Sequence, residues 1–276
     1  MVTLRVSMPA YLFNGREPTM NHDKMMNAIH EIFDPALPRL APGDDAVTRR
    51  ALDLLFNGGL GRLSSDFRVL DVGCGNGSQT LCLARELGCR VTALDNHQPY
   101  LDELQRRAQA EELSHLIQLL CADMNTLGDG EGEYDLVWAE GSAFVMGIPQ
   151  ALRAWRTQLV PGGALGFTDL VWLRHEAPAA CRDFFAGICP DMPHADAVKQ
   201  TVADCGYELV DTFTLPGHAW WENFYVHLKE RLVGFQPAED CEESRAMLEM
   251  AHGEIENYRK HSDWFGYVFY LMRRAD

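Results

Sequence analysis

The sequence predicts an α/β fold on a doubly wound, mainly parallel sheet, and three observations carry that expectation. Strand-like and helix-like patterns alternate from residue 67 to residue 171, an order that places helices between parallel strands. The first strand pattern runs straight into Asp71-Val72-Gly73-Cys74-Gly75-Asn76-Gly77, a glycine turn followed by helix-forming residues. Of the 276 residues, 47% are hydrophobic, enough for one sizeable core.

Residues 1–20 hold Pro9, Gly15 and Pro18 among Tyr11 and Phe13, and read as an extended arm able to fold over a site. Asn21 is a candidate N-cap for a helix with Met25, Ile29, Ile32 and Phe33 on its apolar face. Asp44 or Asp45 caps a second, with Val47, Ala51, Leu54 and Leu55 inward. Strand and helix then alternate: strand 67–72, helix 78–87, strand 90–95, helix from about Pro99 to Glu112, strands 117–121 and 134–139, helix 149–159 and strand 164–171. Gly88 stops one helix and Pro99 opens the next. Beyond residue 174 the pattern gives a helix at 194–205, a strand at 207–215 and a last strand at 267–272. Between those strands, residues 217–264 are far more than a hairpin needs, and long insertions are usually functional. Met247, Ala251, Ile255 and Tyr258 mark a helix within it, and the whole reads as a substrate-side lid.

Gly73, Gly75 and Gly77 permit positive φ and leave no side chain between main chain and ligand, so the turn reads as one for a nucleotide cofactor. Its spacing departs from G-x-G-x-x-G, because Ser78 stands where the third glycine would fall, and no P-loop lysine follows. Pyrophosphate is therefore not the expected ligand, which argues against a nicotinamide dehydrogenase.

Residues 69–80, VLDVGCGNGSQT, resemble the first motif of the class I S-adenosylmethionine (SAM) dependent methyltransferases, and Gln79-Thr80 are similar to a small-molecule, ubiquinone-biosynthesis-type subgroup. Further matches follow in order. Val91–Asp95 resembles the second strand with its ribose-binding acid, Cys121–Met124 the adenine-contacting turn, Tyr134–Ser142 the fourth strand with its active-site end, and Leu159–Gly163 the turn before strand five. The similarity is firm over 67–172 and loose over Leu37–Gly43, where Leu40-Ala41 interrupts what in related sequences is Arg-Gln-Gly-Pro-Gly and weakens a cofactor role for Arg39. The resemblance implies a Rossmann-like, doubly wound seven-stranded sheet with an antiparallel last strand, an N-terminal helical cap and a C-terminal lid insertion. It also implies one methyltransferase domain over 1–276: arm and cap 1–65, SAM-binding core 66–174, and a substrate-side half 175–276 containing the lid.

The same resemblance assigns cofactor contacts to Asp71, Gly73, Cys74, Gly75, Ser78, Gln79, Asp95, Asn96, Asp123, Met124, Glu140 and Ser142. Asp95 suits the two ribose hydroxyls, with helix N-capping as its plain alternative. Asp71 orients loop amides or meets the SAM ammonium, or is structural. Asp123 accepts from adenine or is a turn aspartate, and Gln79 at its helix start reaches the methionine carboxylate or is solvated. Glu140 and His218 are the catalytic candidates: Glu140 ends an apolar strand and faces the acceptor as base or cation partner, or is a salt-bridged structural acid. Tyr11, Trp172, Trp220, Trp221 and Tyr225 are the substrate-binding candidates, with core packing as the alternative for each aromatic of the lid. Asp169 also belongs on the acceptor side, whereas Trp138 belongs in the core.

Lys and Arg number 24 against 40 Asp and Glu, a net charge of −16 that repels phosphate backbones and anionic lipid, so nucleic-acid methylation and a membrane partner are disfavoured. Eight cysteines without a C-x-x-C pair suit reduced thiols and a cytoplasmic location, and the histidine spacing suggests no metal. The expected activity is transfer of the SAM methyl group to a small-molecule acceptor through a nitrogen or oxygen nucleophile, with S-adenosyl-L-homocysteine (SAH) released; a homodimer is compatible with this. The alternatives are C-methylation of a quinol-like ring and a SAM-binding protein without catalysis.

Overall fold

Seven strands among the described residues form one sheet: β1 (Arg68–Val72), β2 (Arg90–Asp95), β3 (Ile117–Cys121), β4 (Tyr134–Glu140), β5 (Leu159–Trp172), β6 (Tyr207–Thr214) and β7 (Phe265–Arg274). The computed structural model describes residues 22–60, 63–64, 66–127, 132–237 and 241–275; Tyr11, the rest of the expected arm and the expected cap Asn21 lie outside them. Strand order is β3-β2-β1-β4-β5-β7-β6. The first five strands pair in parallel, and β7 runs antiparallel between β5 and β6. Residues 69–72 are buried, as expected of a parallel strand covered on both faces. The order reverses at β1, so the carboxyl ends of β1, β2 and β4 open a crevice at the switch point of the sheet.

Among the described residues, ten α-helices cover this frame. They are α1 (His22–Ile32), α2 (Asp45–Asn57), α3 (Ser78–Leu87), α4 (Gln98–Ala110), α5 (Ile148–Gln158), α6 (Ala179–Ala186), α7 (Ala195–Asp204), α8 (Gly217–Trp220), α9 (Val226–Gly234) and α10 (Glu242–His261). Asp44 caps α2, its carboxylate accepting the Val47 N–H at 2.7 Å. One face of the sheet packs Leu70, Val137 and Phe167 against Leu152 and Trp155 of α5 and Val198 of α7. The other packs Val69, Trp138 and Phe269 against Ala51 and Leu55 of α2 and Leu83 of α3. A third cluster joins Met25 and Ile32 of α1 to Met247, Ala251 and Ile255 of α10.

The insertion expected to be a lid is helical over most of its described residues: α8, a π-helical turn at Trp221–Tyr225, then α9 and α10. Besides α8 and α9, which the aromatic run did not announce as helices, two elements differ from expectation. Strand β5 begins at Leu159, earlier than the expected start, because Leu159 already pairs with Tyr134 and a register shift between Tyr134 and Leu136 absorbs the Pro161-Gly162-Gly163 segment. Helix α6 was not expected, since only Cys181 and Phe185 of its eight residues are buried, too little for a periodic signal.

Gly77 joins the glycine turn to α3 at a φ of 84°, and a Cβ there would stand 2.1 Å from Leu104 Cδ1 and 2.9 Å from Leu104 Cβ. Gly88 also has positive φ, 59°, but open space around it. Gly77→Ala should therefore lose roughly 2–5 kcal/mol, strain plus overpacking, against about 1–2 kcal/mol for Gly88→Ala. Urea unfolding of the two variants measures the difference; equal losses would mean that Leu104 does not confine the turn.

Candidate functional site

The crevice is floored by the turn between β1 and α3, where Gly73, Gly75 and Gly77 all have positive φ. The N–H groups of Gly73 and Cys74 donate to Leu94 O at 2.8 and 2.9 Å, which fixes the turn to the end of β2. There Asp95 closes the floor. One carboxylate oxygen accepts the Gly75 N–H at 2.9 Å and the other the His97 N–H at 2.9 Å. A carboxylate has about four acceptor sites, so these donors leave room for a further one. Burial raises the Asp95 pKa, against the pull of those N–H groups. On the other side of the turn, a Cβ on Gly73 would stand 2.5 Å from Ser142 Cβ and 3.3 Å from Met124 Cε. Gly73, Ser142 and Met124 thus meet at one point. The Ser142 hydroxyl donates to Val72 O at 2.6 Å and ties the end of β4 to that of β1.

Several expected contacts are engaged within the chain. Asp71 is fully buried beneath the turn; it accepts the Thr80 hydroxyl at 2.6 Å and, at 3.4 Å, the amide of Gln79, which also donates to Cys74 O. Burial pushes the Asp71 carboxyl up to about 7, opposed by Thr80 and reinforced by the nearby Glu140 charge. The buried Cys74 thiol is likewise pushed up by burial. Ser78 donates to Pro38 O at 2.6 Å. Asp123 caps the 3-10 turn Met124–Thr126 through one oxygen, which accepts the Asn125 N–H at 2.9 Å. Asn96 is exposed beside Asp95.

Glu140 is buried and takes three donors: Trp138 Nε1 at 2.9 Å, Thr48 Oγ1 at 2.7 Å and Arg39 Nη2 at 2.8 Å. Its side chain is the anion of a buried ion pair. His218 lies elsewhere, half-exposed, with Nε2 3.1 Å from Asp44 Oδ2. It borders a cleft of about 490 Å³ lined by Arg39, Asp44, Ser78 and Glu222. Among the aromatics, Trp220 and Tyr225 are almost fully buried. Trp220 stacks on Tyr258 at 4.2 Å, and the Tyr225 hydroxyl donates to Glu254 at 2.8 Å. Trp221 and Trp172 are half-buried.

Sequence reasoning missed the residues that fold the N-terminal cap onto the turn. Asn76 Nδ2 donates to Pro35 O and Leu37 O at 3.1 and 2.6 Å. Arg107 reaches Leu37 O at 2.8 Å and Pro38 O at 3.0 Å. Above Asp95, His30 of α1 stacks on His97 at 3.5 Å. The loose likeness at Leu37–Gly43 was the one available signal, and it did not name the partners. Among the described residues, no cluster of three or more His, Cys, Asp or Glu is placed to hold a metal, and no helix is long and apolar enough to cross a membrane.

Residues 69–163 match the family model for a methyltransferase domain. The chain is 27% identical over 155 residues to methyltransferase GfsG of Streptomyces halstedii, covering 54% of this chain and 55% of that protein. It is 28% identical over 173 residues to a sarcosine/dimethylglycine N-methyltransferase of Halorhodospira halochloris, covering 57% and 58%. The chain spans about half the length of these curated relatives. A SAM-dependent methyltransferase from Thiobacillus denitrificans, solved in complex with SAH, superposes with a TM-score of 0.65 at 20% identity over 92% of this chain and 99% of that one. The seven-stranded sheet with its antiparallel β7 is thus that Rossmann-like architecture.

Two measurements probe the buried charges. Glu140→Ala leaves Arg39 buried without its anion and should cost about 3–5 kcal/mol in urea unfolding; a loss below about 1 kcal/mol would mean that the pair is solvated. Asp71 releases its proton at 3.8 in the unfolded chain and near 7 in the folded one. Stability should therefore fall as pH rises from about 4 to about 7, by up to about 1.4 kcal/mol per pH unit, and be flat in this term above that. Asp71→Asn removes this contribution, so its unfolding free energy should fall less than that of the wild type between the two pH values.

Proposed function

We propose that this chain, whose residues 69–163 form a class I SAM-dependent methyltransferase domain, moves the SAM methyl group to a small organic acceptor and releases SAH. The observation that carries this reading is Asp95 at the end of β2, its two carboxylate oxygens fixed by the Gly75 and His97 N–H groups beside the glycine turn. That geometry suits a vicinal diol such as ribose. The residues at hand fit the rest of the cofactor. Three glycines give the turn the positive φ it needs, with Ser142, Leu40 and Leu104 packed where their Cβ atoms would stand. Among the described residues Asp123 accepts through one oxygen, leaving the other for the adenine amino group, and the N-terminus of α3 with Gln79 suits a carboxylate. Glu140, its side chain engaged with Arg39, offers its main-chain carbonyl to the ammonium.

Bound SAM supplies a methyl group on an already activated sulfonium. The protein's task is then alignment in a dry pocket, which can lower a barrier by roughly 7–11 kcal/mol. A net charge of −16 repels anionic acceptors and draws basic ones, so amine nitrogen and neutral oxygen nucleophiles are favoured. The relative that acts on sarcosine and dimethylglycine supports nitrogen. One observation favours a second reading, SAM binding without catalysis: the carboxylate expected as base, Glu140, is neutralised by Arg39.

Calorimetry with SAM and SAH tests the cofactor, and labelled SAM with a panel of amines and phenols tests transfer. Asp95→Ala should weaken both cofactor forms by roughly tenfold or more, about 1.4 kcal/mol. No heat from either ligand with folded protein would end the proposal, whereas binding without transfer to any acceptor would favour the second reading.

A further inference from the structure

Past Trp172, the last residue of β5, the chain turns into α6, and together with the segment that ends at His194 it encloses a groove of about 250 Å³. Neither the fold nor the proposed cofactor contacts employ it. Trp172 and Phe185 form its apolar part and meet edge to face at 5.5 Å. The main chain pins Trp172 there, since its N–H donates to Pro193 O at 2.9 Å and it bridges to His194, which also lines the groove. Asp169, expected on the acceptor side, is not part of this lining. Side chains alternate along β5, so Asp169 shares the face of Phe167 and Val171, whereas Trp172 shares that of Leu170.

The charge lies on the rim. Arg174 and Arg182 both line the groove, and Glu176 is the one acid that does. Elsewhere Arg39, Arg85 and Arg107 each hold a carboxylate. Among the described residues, no ion pair involves Arg174 or Arg182. The fold nevertheless positions both. The Arg174 guanidinium lies over the Trp264 ring, 5.7 Å from its centroid, and Arg182 Nη1 donates to Ala177 O. A guanidinium carries five N–H donors, so each keeps several to offer a ligand. Glu176 between them holds a φ of 60°, in the left-handed region that disfavours a side chain, and strain of this kind gathers at ligand clamps.

Two guanidinium groups against one carboxylate leave the lining with an excess of positive charge in a chain whose net charge is −16. At physiological salt an exposed charge is screened within about 8 Å, so the local excess decides what the groove attracts. We propose that this groove binds a small aromatic carboxylate, with its ring on Trp172 and Phe185 and its carboxylate between Arg174 and Arg182. Guanidinium forks match a carboxylate in plane and spacing. The aromatic walls bury the ring, and the volume has room for a single ring with its carboxylate.

The site is separate from the crevice. Thr168, whose hydroxyl receives the Gly141 N–H at 2.9 Å, holds the end of β4, and Trp172 stands four residues further along β5, about 13 Å away. One ring does not span that distance, so the inference does not rest on the methyltransferase reading.

The test titrates the full chain with benzoate, benzamide, benzylammonium and acetate, followed by the indole N–H resonance of Trp172. Benzoate should shift that signal with a dissociation constant of about 1 mM or tighter. Benzamide and benzylammonium, which keep the ring without the anion, and acetate, which keeps the anion without the ring, should each bind at least about fivefold more weakly. Arg174→Gln and Arg182→Gln should each weaken benzoate by roughly tenfold, and so should raising the salt from about 0.05 to about 0.5 M, which leaves benzamide unchanged. Glu176→Gln removes the opposing charge and should tighten benzoate by roughly two- to threefold, a gain that a misfolded variant cannot imitate. Ala186→Trp, at an exposed lining position of α6, should block the groove. Saturating benzoate should leave SAH affinity within about twofold. Equal or tighter binding of benzamide or benzylammonium, benzoate affinity unchanged in both arginine variants, no gain in Glu176→Gln, or competition between benzoate and SAH would each overturn the assignment. Failure of SAH to bind while benzoate still does would count against the methyltransferase reading alone.

Discussion

The Glu140 carboxylate is the knot from which the rest of the site hangs. It ends β4, yet its three donors come from the strand itself, from α2 and from the cap segment before α2. An ion pair with both side chains under a tenth exposed is costly to form and costlier to break on one side only. Its effect is positional. Arg39 draws residues 35–43 across the crevice, and Thr48 sets α2 against the same point. Asp44, which caps α2, then meets His218 of the lid, while the Gly43 N–H donates to Ala219 O at 3.0 Å. Sheet, cap and lid are joined through a stretch of about ten residues.

How much of this could be read beforehand follows from how local each signal is. Strands β1 to β4 and their helices announce themselves by period, by glycine and by capping residues within a few positions of each element, and the structure places them within a residue or two. The glycine turn and Asp95 were legible for the same reason, since turn chemistry and strand end are both local. Arg39 with Glu140 is separated by 101 residues and Arg107 with Leu37 by 70, and no periodic pattern in one chain pairs such positions. Helix α6 stayed hidden because two buried positions do not make a period.

The site candidates divide along the same line. Ser142, Met124 and Gly73 do converge, and Asp95 borders them. His218 and Glu140 do not face a common space: one pairs with Asp44 at a half-exposed edge, and the other is spent on Arg39. The aromatic run of the lid folds inward, where Trp220 lies flat on Tyr258, so most of its surface serves cohesion. An aromatic cluster in a sequence does not say which face will be dry until its neighbours are known.

The grip of Asn76 and Arg107 on the cap has a consequence for how this protein can change. Both side chains hold carbonyl oxygens, those of Pro35, Leu37 and Pro38, and a carbonyl is the same whichever residue bears it. The strap is therefore held by its path and not by its letters. Descendants of this chain are free to rewrite Pro35, Ala36 and Pro38, though not the core residue Leu37, while the clasp on the turn persists, so that kinship here should be sought in the two clasping side chains.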